Sequence, residues 1–398
     1  MLYPEVILRR NSERLLIQGH PWVYSGAVAK AADVEAGEIV DILDFKSRFV
    51  ARGYYNPKST IAIRILTRDN KCSINRDFLN KTIAKSIQAR RQNPELSTIN
   101  AIRMVHGEND GLPGLIVDDY AGFLVVQFHT YGAEMMRENV INSLAEIVKP
   151  KGIYERSDVG TRRADGLKDR PTGHLFGEEP PELIEIDEGG TRLLVDVRRG
   201  QKTGFFLDQR NNRILLQQYV AQRSVFDCFG YTGGFGAHAL TGGARDVITA
   251  DISRNTSTLT RQNLNINANC AQHYRQIITD LFPMLEQLSE RGPKFDVVVL
   301  DPPALVRRSR DVKHAMGVYT KLNRNAMKLV KDQGLLLTAS CSTRISYEDF
   351  FQIVRRAAAG ARVNCRILAC NLHAPDHPIN PAFPEGRYLK TIFAQIFR

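Results

Sequence analysis

The sequence predicts an α/β protein with a Rossmann-like parallel sheet at its C-terminus, a small β-barrel at its N-terminus and an α+β domain between them. The 398 residues suffice for two or three domains. Short strands broken by Gly, Pro and Asn occupy the first 75 residues, and beyond about residue 195 apolar strands alternate with helices, which indicates a sheet covered on both faces. We therefore expect domains at residues 1–75, 76–190 and 191–398.

The N-terminal and middle parts differ in their strand and helix patterns. Four strand-like runs come first, EVILRR, GEIVDILD, RFVARGYY and STIAIRILTR, and their spacing is typical of a small barrel. NRDFLNKTIAKSIQARRQNPEL then predicts a helix that ends near Pro94. GLPGLIVDDYAGFLVVQFHT predicts a hairpin turning at Ala121 and Gly122, and GAEMMRENVINSLAEIV predicts an amphipathic helix. The basic stretch ERSDVGTRRADGLKDRPTG is predicted to be a loop.

In the C-terminal part, strands and helices alternate regularly. The predicted strands are SVFDCF, DVITADIS, QIITDLF, FDVVVLDPP and LLLTASCS. Helices are predicted at GFGAHALTGGA, RNTSTLTRQNLNINAN and through YTKLNRNAMKLVKD. NCRILACNL and LKTIFAQIF close the chain as two more strands joined by a long Pro-rich loop. Because parallel strands need crossover connections, usually helices, this order predicts the Rossmann-like sheet.

Composition narrows the class of partner and the compartment. A formal charge of +11 and a pI near 9.4 favour a polyanionic partner such as nucleic acid. No apolar run reaches the roughly 18 residues of a membrane span, and MLYPEVILRR lacks the apolar stretch of a signal peptide, so we expect a cytoplasmic protein with no membrane contact. The six cysteines are scattered with no spacing suited to zinc, so we expect free thiols and no metal.

A glycine-rich turn follows the first strand of the predicted sheet. DCFGYTGGFG, residues 227–236, lets the backbone turn sharply into a helix and approach a ligand closely. Asp251 ends the second strand, where a carboxylate can accept both hydroxyls of a ribose, and Asp280 ends the third, placed to accept from an adenine amine. The spacing is not G-x-G-x-x-G, so S-adenosylmethionine fits better than a nicotinamide cofactor. The alternative is that both aspartates cap the helices that follow them.

Asp301 and Cys341 are the candidate catalytic residues. The fourth strand ends in LDPP and the fifth in SCS, and the ends of neighbouring parallel strands lie about 5 Å apart. A thiolate can add to carbon 6 of a pyrimidine and so make carbon 5 nucleophilic. A carboxylate at Asp301 accepts from the exocyclic amine of cytosine, whereas uracil presents a carbonyl there. The alternative for Cys341 is a buried structural thiol, which is the role expected of Cys228 and the remaining cysteines.

Several motifs together resemble those of the bacterial large-subunit ribosomal RNA cytosine-5 methyltransferases that carry an N-terminal PUA domain. GHPWVYSGA and ARGYYNP are similar to the PUA part, GLPGLIVDDY to the middle domain, and QKTGFFLDQRNNR, DCFGYTGGFG, LDPP, SCS and DHP…FPEGRYLK to the catalytic domain. The resemblance covers nearly the whole chain. It implies a PUA-like barrel that binds RNA, a class I methyltransferase sheet, S-adenosylmethionine as methyl donor, Cys341 as nucleophile, 23S ribosomal RNA as substrate, and a homodimer.

The resemblance also implies that QKTGFFLDQR contacts the cofactor. Arg210 could pair with the methionine carboxylate, the alternative being a structural salt bridge. Trp22, the only tryptophan, could stack on a base, the alternative being a place in the core of the barrel. The residues expected to bind the cofactor are Gln209, Arg210, Phe229, Gly230, Tyr231, Gly233, Asp251, Ile252, Asp280 and Asp301.

One position departs from the wider group of RNA cytosine methyltransferases. Many of those carry a second cysteine after the proline of the fourth-strand motif and use it to release the product, whereas here Pro303 and Ala304 stand there. Another group must then take the proton from carbon 5. Asp376, His377 and Glu385 in the C-terminal loop are candidates, the alternative being that they fix the loop by hydrogen bonds.

Two other functions remain open from the sequence. The first is methylation of a guanine or adenine nitrogen in ribosomal RNA, which needs no cysteine; Ala304 lacks the aromatic ring that often follows Asp-Pro-Pro in amine methylases. The second is a non-catalytic RNA-binding assembly factor of the PUA type. The series Asp251, Asp280, Asp301 and Cys341 argues against the second, and activity of a Cys341→Ala protein would favour the first.

Overall fold

The computed structural model describes residues 3–31, 33–306 and 309–398. It divides into two compact units. Unit 1 comprises residues 1–184, 195–207 and 375–386, and unit 2 comprises residues 185–194, 208–374 and 387–398. Within the described residues, every helix is too short or too polar to cross a membrane.

The first part of unit 1 is a six-stranded sheet. In order across the sheet its strands are β2, β6, β5, β4, β1 and β3. Val40 and Ile42 are fully buried on one face with Val6 and Leu8, as the alternation in the sequence predicts. The elements are β1 (Glu5–Leu8), α1 (Arg14–Ile17), β2 (Trp22–Tyr24), β3 (Val28–Ala31), β4 (Ile39–Leu43), β5 (Phe49–Tyr55) and β6 (Ile61–Thr67). Two strands of this sheet were not predicted: β2 has only three residues, and β3 reads VAKA, in which Ala and Lys are residues that strands usually disfavour.

The second part of unit 1 is a five-stranded sheet in the order β11, β10, β9, β8, β7. The hairpin between β8 and β9 turns at Ala121 and Gly122, as predicted, and both have positive φ (51° and 95°), the backbone of a type I′ turn. The predicted helix at 132–148 is divided into two at Met136. The elements are α2 (Arg76–Arg91), β7 (Ala101–His106), β8 (Leu115–Tyr120), β9 (Phe123–Phe128), α3 (Tyr131–Met135), α4 (Arg137–Val148), β10 (Gly152–Glu155), α5 (Thr161–Ala164) and β11 (Gly173–Gly177).

Unit 2 is built on a seven-stranded sheet, accompanied by a two-stranded sheet of β12 and β13. The strands are β12 (Ile184–Glu188), β13 (Thr191–Val195), β14 (Ser224–Cys228), β15 (Asp246–Asp251), β16 (His273–Ile278), β17 (Phe295–Leu300), β18 (Val330–Ser340), β19 (Asn364–Asn371) and β20 (Lys390–Phe397). The helices are α6 (Arg210–Gln217), α7 (Gly234–Thr241), α8 (Ser257–Asn267), α9 (Leu281–Arg291), α10 (Val312–Leu329) and α11 (Tyr347–Ala361).

The large sheet has the strand order β16, β15, β14, β17, β18, β20, β19. The first five strands are parallel, and β20 runs antiparallel to β18 and to β19. The order reverses between β14 and β17, and such a reversal opens a crevice outside the carboxyl ends of the strands. The Rossmann-like sheet is therefore confirmed, with one antiparallel strand that the sequence did not reveal.

Two hydrophobic layers cover the two faces of this sheet. Val298 and Leu300 of β17 point into a core with α9, α10 and α11, whereas Val297 and Val299 point into a core with α6, α7 and α8. Such continuous apolar strands are typical of a sheet buried on both faces, which is why this part of the chain was predictable. The predicted strand QIITDLF is displaced: β16 ends at Ile278, and the residues after Asp280 begin α9.

Candidate active site

Most of the predicted site residues of unit 2 lie at the carboxyl ends of β14, β15, β17 and β18, whereas Asp280 follows β16 and Gln209 and Arg210 lie at the start of α6. Cys228, the last residue of β14, is in register with Ala250 of β15 and with Leu300 of β17. Leu300 in turn is in register with Thr338 of β18. The segments that follow these strands therefore leave the sheet at one edge, beside the point where the strand order reverses.

The glycine-rich turn after β14 has an unusual backbone. Phe229, Tyr231 and Gly233 all have positive φ (63°, 50° and 79°), which is uncommon for the two aromatic residues. Gly230 is required by packing, since a Cβ there would lie 2.3 Å from Cγ2 of Thr249. The turn ends at Gly233, which immediately precedes α7. The sequence therefore folds here into a tight strand-to-helix turn that can approach a ligand closely.

Asp251 connects β15 to this turn. Its Oδ2 accepts a hydrogen bond from the Tyr231 backbone N–H at 3.0 Å, and its Oδ1 accepts from the Ser253 N–H at 2.8 Å. A carboxylate can accept about four hydrogen bonds, so this partly exposed group retains capacity for two hydroxyls. Ile252 beside it is 67% exposed, which leaves an apolar surface at the same edge. The pair fits the ribose and base of an adenosyl cofactor.

Asp280 is exposed and caps α9, because its side chain accepts from the Phe282 N–H at 3.0 Å. The capping alternative thus holds for Asp280, and its contact with adenine stays a prediction. Asp251 does not cap, since α8 begins at Ser257. Phe282 was not among the predicted site residues. Its ring packs edge-on against Phe229, with the ring centroids 5.6 Å apart. Its position in the first helical turn after an aspartate that follows a strand is the sequence feature that could have identified it.

Gln209 and Arg210 lie at the start of α6 and have different surroundings. The Gln209 Nε2 donates to Oδ2 of Asp301 at 3.0 Å, and its Oε1 accepts from Asn212 at 2.6 Å. Arg210 is buried, and its Nε lies 3.7 Å from Oε1 of Glu188. The structural salt bridge proposed as an alternative for Arg210 is therefore present, while a contact with the cofactor carboxylate stays a prediction.

Glu188 is the centre of a buried ionic cluster that was not predicted from the sequence. Arg213 binds its carboxylate with two hydrogen bonds of 2.8 Å, and His238 Nε2 lies 3.2 Å from Oε2. Burial alone would raise the pKa of Glu188, but Arg213, His238 and Arg210 together lower it to about 2. Burial lowers the pKa of His238. The cluster joins β12, α6 and α7 behind the glycine-rich turn.

Two carboxyl groups lie near the reversal point, Asp227 fully buried and Asp301 partly buried. Burial raises the pKa of Asp301 to about 7, the charge of Asp208 adds to this shift, and the hydrogen bond from Gln209 opposes it. Burial likewise raises the pKa of Asp227 to about 7, against a hydrogen bond from the Gly236 N–H to its Oδ2 at 3.2 Å. Sequence reasoning did not assign Asp227 a role. Near neutral pH both groups are partly protonated.

Cys341 immediately follows β18 and is partly exposed. Its neighbour Ser342 is fixed from two sides: the Tyr319 hydroxyl lies 3.0 Å from Oγ of Ser342, and Nζ of Lys390 donates to the Ser342 carbonyl oxygen at 2.7 Å. Cys228 is fully buried, as predicted, and burial raises its pKa well above the ordinary value. Of the two thiols near the crevice, Cys341 is the accessible one.

The C-terminal loop candidates belong to unit 1 and fix the loop there. Asp376 is buried, with Oδ2 accepting from the Arg103 N–H at 2.8 Å and Oδ1 lying 3.1 Å from Nδ1 of His377. Glu385 lies 3.3 Å from Nε2 of His20. These contacts match the loop-fixing alternative for all three residues.

Trp22 also packs within unit 1. Its Nε1 donates to Oε1 of Glu108 at 2.9 Å, and its ring meets Phe383 edge-on with centroids 4.7 Å apart. The ring is partly buried, so the packing role expected as an alternative is present.

Comparisons with known proteins identify two domain families in the chain. Residues 6–68 match a PUA-like domain, and residues 164–378 match an S-adenosylmethionine-dependent methyltransferase domain. The ribosomal RNA large subunit methyltransferase I of Klebsiella pneumoniae is 37% identical over 390 residues, 98% of this chain and 97% of that protein. The protein of the same name from Aeromonas salmonicida is 38% identical, over 97% of each chain.

Solved structures with the same fold cover the whole chain. A methyltransferase from Streptococcus mutans superimposes with a TM-score of 0.84, covering 99% of this chain and 100% of that one at 21% identity. A methyltransferase complexed with SAH superimposes with a TM-score of 0.85 at 20% identity, with the same coverage. At this identity the two structures establish the fold.

Proposed function

Since the chain belongs to the S-adenosylmethionine-dependent ribosomal RNA large subunit methyltransferase I family, we propose that it forms 5-methylcytosine in 23S ribosomal RNA with Cys341 as the nucleophile. The single observation that carries the proposal is the position of Cys341 after β18, one strand from Asp301, which follows β17; β17 in turn pairs with β14, the strand before the glycine-rich turn. A guanine or adenine nitrogen methyltransferase would have no use for an accessible thiol there.

The cofactor site is proposed to lie along the carboxyl ends of β14 to β17. Asp251 would accept the ribose hydroxyls, Ile252 would cover one face of the adenine, and the turn from Phe229 to Gly233 would lie against the methionine part. Bound there, S-adenosylmethionine supplies an electrophilic methyl group. Gln209 would position Asp301 by the hydrogen bond between them.

The substrate cytosine must leave its helix, because attack at carbon 6 comes from the ring face that stacking covers. The Cys341 thiolate forms the bond to carbon 6. Asp301 in its acid form donates to ring nitrogen 3, and its other oxygen accepts from the exocyclic amine. The negative charge that the adduct would otherwise carry is thereby neutralised, and carbon 5 becomes nucleophilic. Carbon 5 takes the methyl group and then loses its proton to a base, after which the bond to sulfur breaks, the thiolate is restored and the proton on nitrogen 3 returns to Asp301.

The proposal is tested by the identity of the modified nucleoside. Purified protein is incubated with labelled S-adenosylmethionine and RNA from a strain that lacks the protein, and the digested RNA is analysed for methylated nucleosides. We expect 5-methylcytidine with the wild-type protein and with Cys270→Ser, which alters an exposed thiol, and none with Cys341→Ser. Label in a purine nucleoside would overturn the assignment of both the base and Cys341.

The finer features of the partners are also proposals. The resemblance supports a homodimer, which sedimentation would detect as twice the 44.8 kDa of one chain. The net charge of +11 and the PUA-like match support RNA binding by residues 1–75. The proposed domain boundary at residue 75 is supported by the end of that match at residue 68, and the boundary at residue 190 stays a prediction.

A further inference from the structure

A buried lysine lies next to the SCS turn. Lys390 is the first residue of β20 and is in register with Ser340, the last residue of β18. Its side chain is in the core of unit 2, and the residue is only 1% exposed. Lysine is almost never fully buried unless its ammonium group has partners, so this position needs a specific reason.

The nitrogen of Lys390 is held by two backbone carbonyl groups. It donates to the Ser342 oxygen at 2.7 Å and to the Tyr388 oxygen at 2.8 Å. In the neutral amine, these two bonds use both N–H groups and leave the lone pair available. In the ammonium form, a third N–H takes the place of the lone pair. Because Ser342 directly follows Cys341, this arrangement fixes the nitrogen beside the cysteine.

Four ionisable groups surround this site. Cys341 and Asp349 interact with Lys390 as favourable charges, and Arg387 as an unfavourable one. Tyr319, on α10, interacts electrostatically with Cys341 and bonds to Ser342. Cys341, which is partly exposed, thus lies next to a residue anchored by the Tyr319 hydroxyl and next to an amine on the adjacent strand.

We propose that Lys390 activates Cys341: its amine takes the thiol proton, and the resulting ammonium stabilises the thiolate. The S–H bond breaks with its electron pair left on sulfur, and a new N–H bond forms on Lys390. This inference rests on the proposed function, which makes Cys341 the nucleophile. The proton at carbon 5 of the base goes to a different acceptor, so the thiolate and ammonium are still paired after the product leaves.

The ionisation of Lys390 is compatible with this exchange. Burial lowers its pKa to about 8, while the negative charge of the Cys341 thiolate acts to raise it. Near neutral pH the amine form is therefore accessible when the thiol is protonated, and the ammonium form is favoured when the thiolate is present. Each charge stabilises the other in a site where either alone would be costly.

The test is the pH dependence of Cys341 alkylation, followed by peptide mass spectrometry with iodoacetamide in the absence of cofactor and RNA. Cys270, which is exposed, is the internal reference in the same sample. In the wild-type protein we expect the alkylation of Cys341 to reach half its maximal rate at least about one pH unit below that of Cys270. Coinciding wild-type profiles would overturn the proposal without any variant.

Two variants then separate charge from proton transfer. Lys390→Met removes the nitrogen and should move the Cys341 profile upward by about one pH unit or more, roughly a tenfold loss of rate near pH 7. Lys390→Arg keeps the positive charge but cannot accept a proton, so it should hold the alkylation profile of Cys341 near that of the wild type. A Lys390→Met profile that superimposes on the wild-type profile would also overturn the proposal.

The readouts keep this inference apart from the proposed function. If Cys341→Ser abolishes 5-methylcytidine but Lys390→Met leaves the alkylation profile unchanged, only the role of Lys390 fails. If Cys341→Ser still forms 5-methylcytidine, the nucleophile assignment fails, whatever the alkylation shows. Binding of S-adenosylmethionine, measured by calorimetry, reports whether the variants are folded. If Lys390→Met does not fold, the comparison of Cys341 with Cys270 in the wild-type protein still tests the role of Lys390.

Discussion

Asp301 gives a prediction about the pH dependence of activity. Its raised pKa, about 7, keeps part of the population in the acid form that can donate to cytosine nitrogen 3. Asp301→Asn cannot transfer a proton, so we expect kcat/KM for methylation to fall by roughly 10²-fold or more. The ratio of wild-type to variant kcat/KM should decline between about pH 6 and pH 9, as the wild-type carboxyl ionises. A ratio that does not vary with pH would exclude the acid form from the mechanism.

Asp227 gives a prediction about stability. Its pKa is raised from the ordinary 3.8 to about 7, so this carboxyl stabilises the fold fully below pH 3.8 and loses that contribution as the pH rises through about 7. Asp227→Asn keeps the shape without the charge. We expect its stability relative to the wild type to increase by about 2–3 kcal/mol between pH 5 and pH 8. Thermal unfolding at both pH values measures this.

The control for Asp227 is the same substitution at an exposed aspartate. Asp33→Asn, on the surface of unit 1, should change the unfolding temperature by a similar small amount at both pH values. If Asp227→Asn behaves in the same way as Asp33→Asn, the buried carboxyl is not a source of pH-dependent stability.

Individual residues of the site differ in how far their positions could be predicted from the sequence. The positions of Asp251 and Cys341 could be predicted because each directly ends or follows an apolar strand, and a strand end fixes a position in a parallel sheet. The contacts of Glu188 and Lys390 could not be predicted, since their partners are distant in the sequence or are backbone carbonyls brought close only by folding. Burial of a charge depends on tertiary contacts, which a single sequence does not specify.

At the scale of whole elements, the strands of unit 2 were more predictable than its helices. Strands buried on both faces read as continuous apolar runs, as in β17 and β18. The helices α9 and α11 were not predicted, although α11 begins with a capping box of Ser346 and Asp349. In unit 1, α2 was predicted and is capped by the Asn75 side chain. Helix-capping residues therefore mark the start of both helices, but only α2 was predicted.

The glycine-rich turn gives a prediction about an element. Gly230→Ala would place a Cβ 2.3 Å from Thr249 and 2.6 Å from Oδ2 of Asp227, so β14 and β15 must separate to admit it. We expect a loss of about 1–3 kcal/mol in stability and weaker binding of S-adenosylmethionine. Differential scanning calorimetry and titration calorimetry measure the two effects.

Gly317 provides the matched control within a helix. It lies in α10, and a Cβ there would meet no described atom within 4 Å. Gly317→Ala should therefore stabilise the protein by roughly 0.5–1 kcal/mol through helix propensity and leave cofactor binding unchanged. Equal losses in both variants would mean that the turn has no special packing requirement.

For the whole molecule, the net charge and the type of sheet could be predicted from the sequence, but the division into two units could not. The basic composition and the alternation of strands and helices predicted an RNA-binding chain with a Rossmann-like sheet. The last strand, β20, was predicted as a strand, but no local pattern indicated that it runs antiparallel to β18. Residues 195–207 and 375–386 join unit 1 although they are flanked by segments of unit 2. Such long-range assignments depend on tertiary contacts that a single sequence does not specify.

The net charge of +11 gives a prediction about the whole molecule. Binding of RNA releases condensed counterions, so the affinity for a ribosomal RNA fragment should fall by on the order of 10²-fold between about 50 and 200 mM salt. Fluorescence anisotropy with labelled RNA measures it. Binding of S-adenosylmethionine over the same range serves as the control for folding. An RNA affinity independent of salt would show that phosphate contacts are not its main source.

The loop of residues 375–386 has a consequence for synthesis on the ribosome. Asp376, which bonds to the Arg103 backbone, and Asn380, whose N–H donates to Asn109, are part of unit 1. These residues are translated after almost all of unit 2. The rest of unit 1 therefore lacks these contacts until residues 375–386 have been translated, so unit 1 is completed only after most of unit 2 has been made.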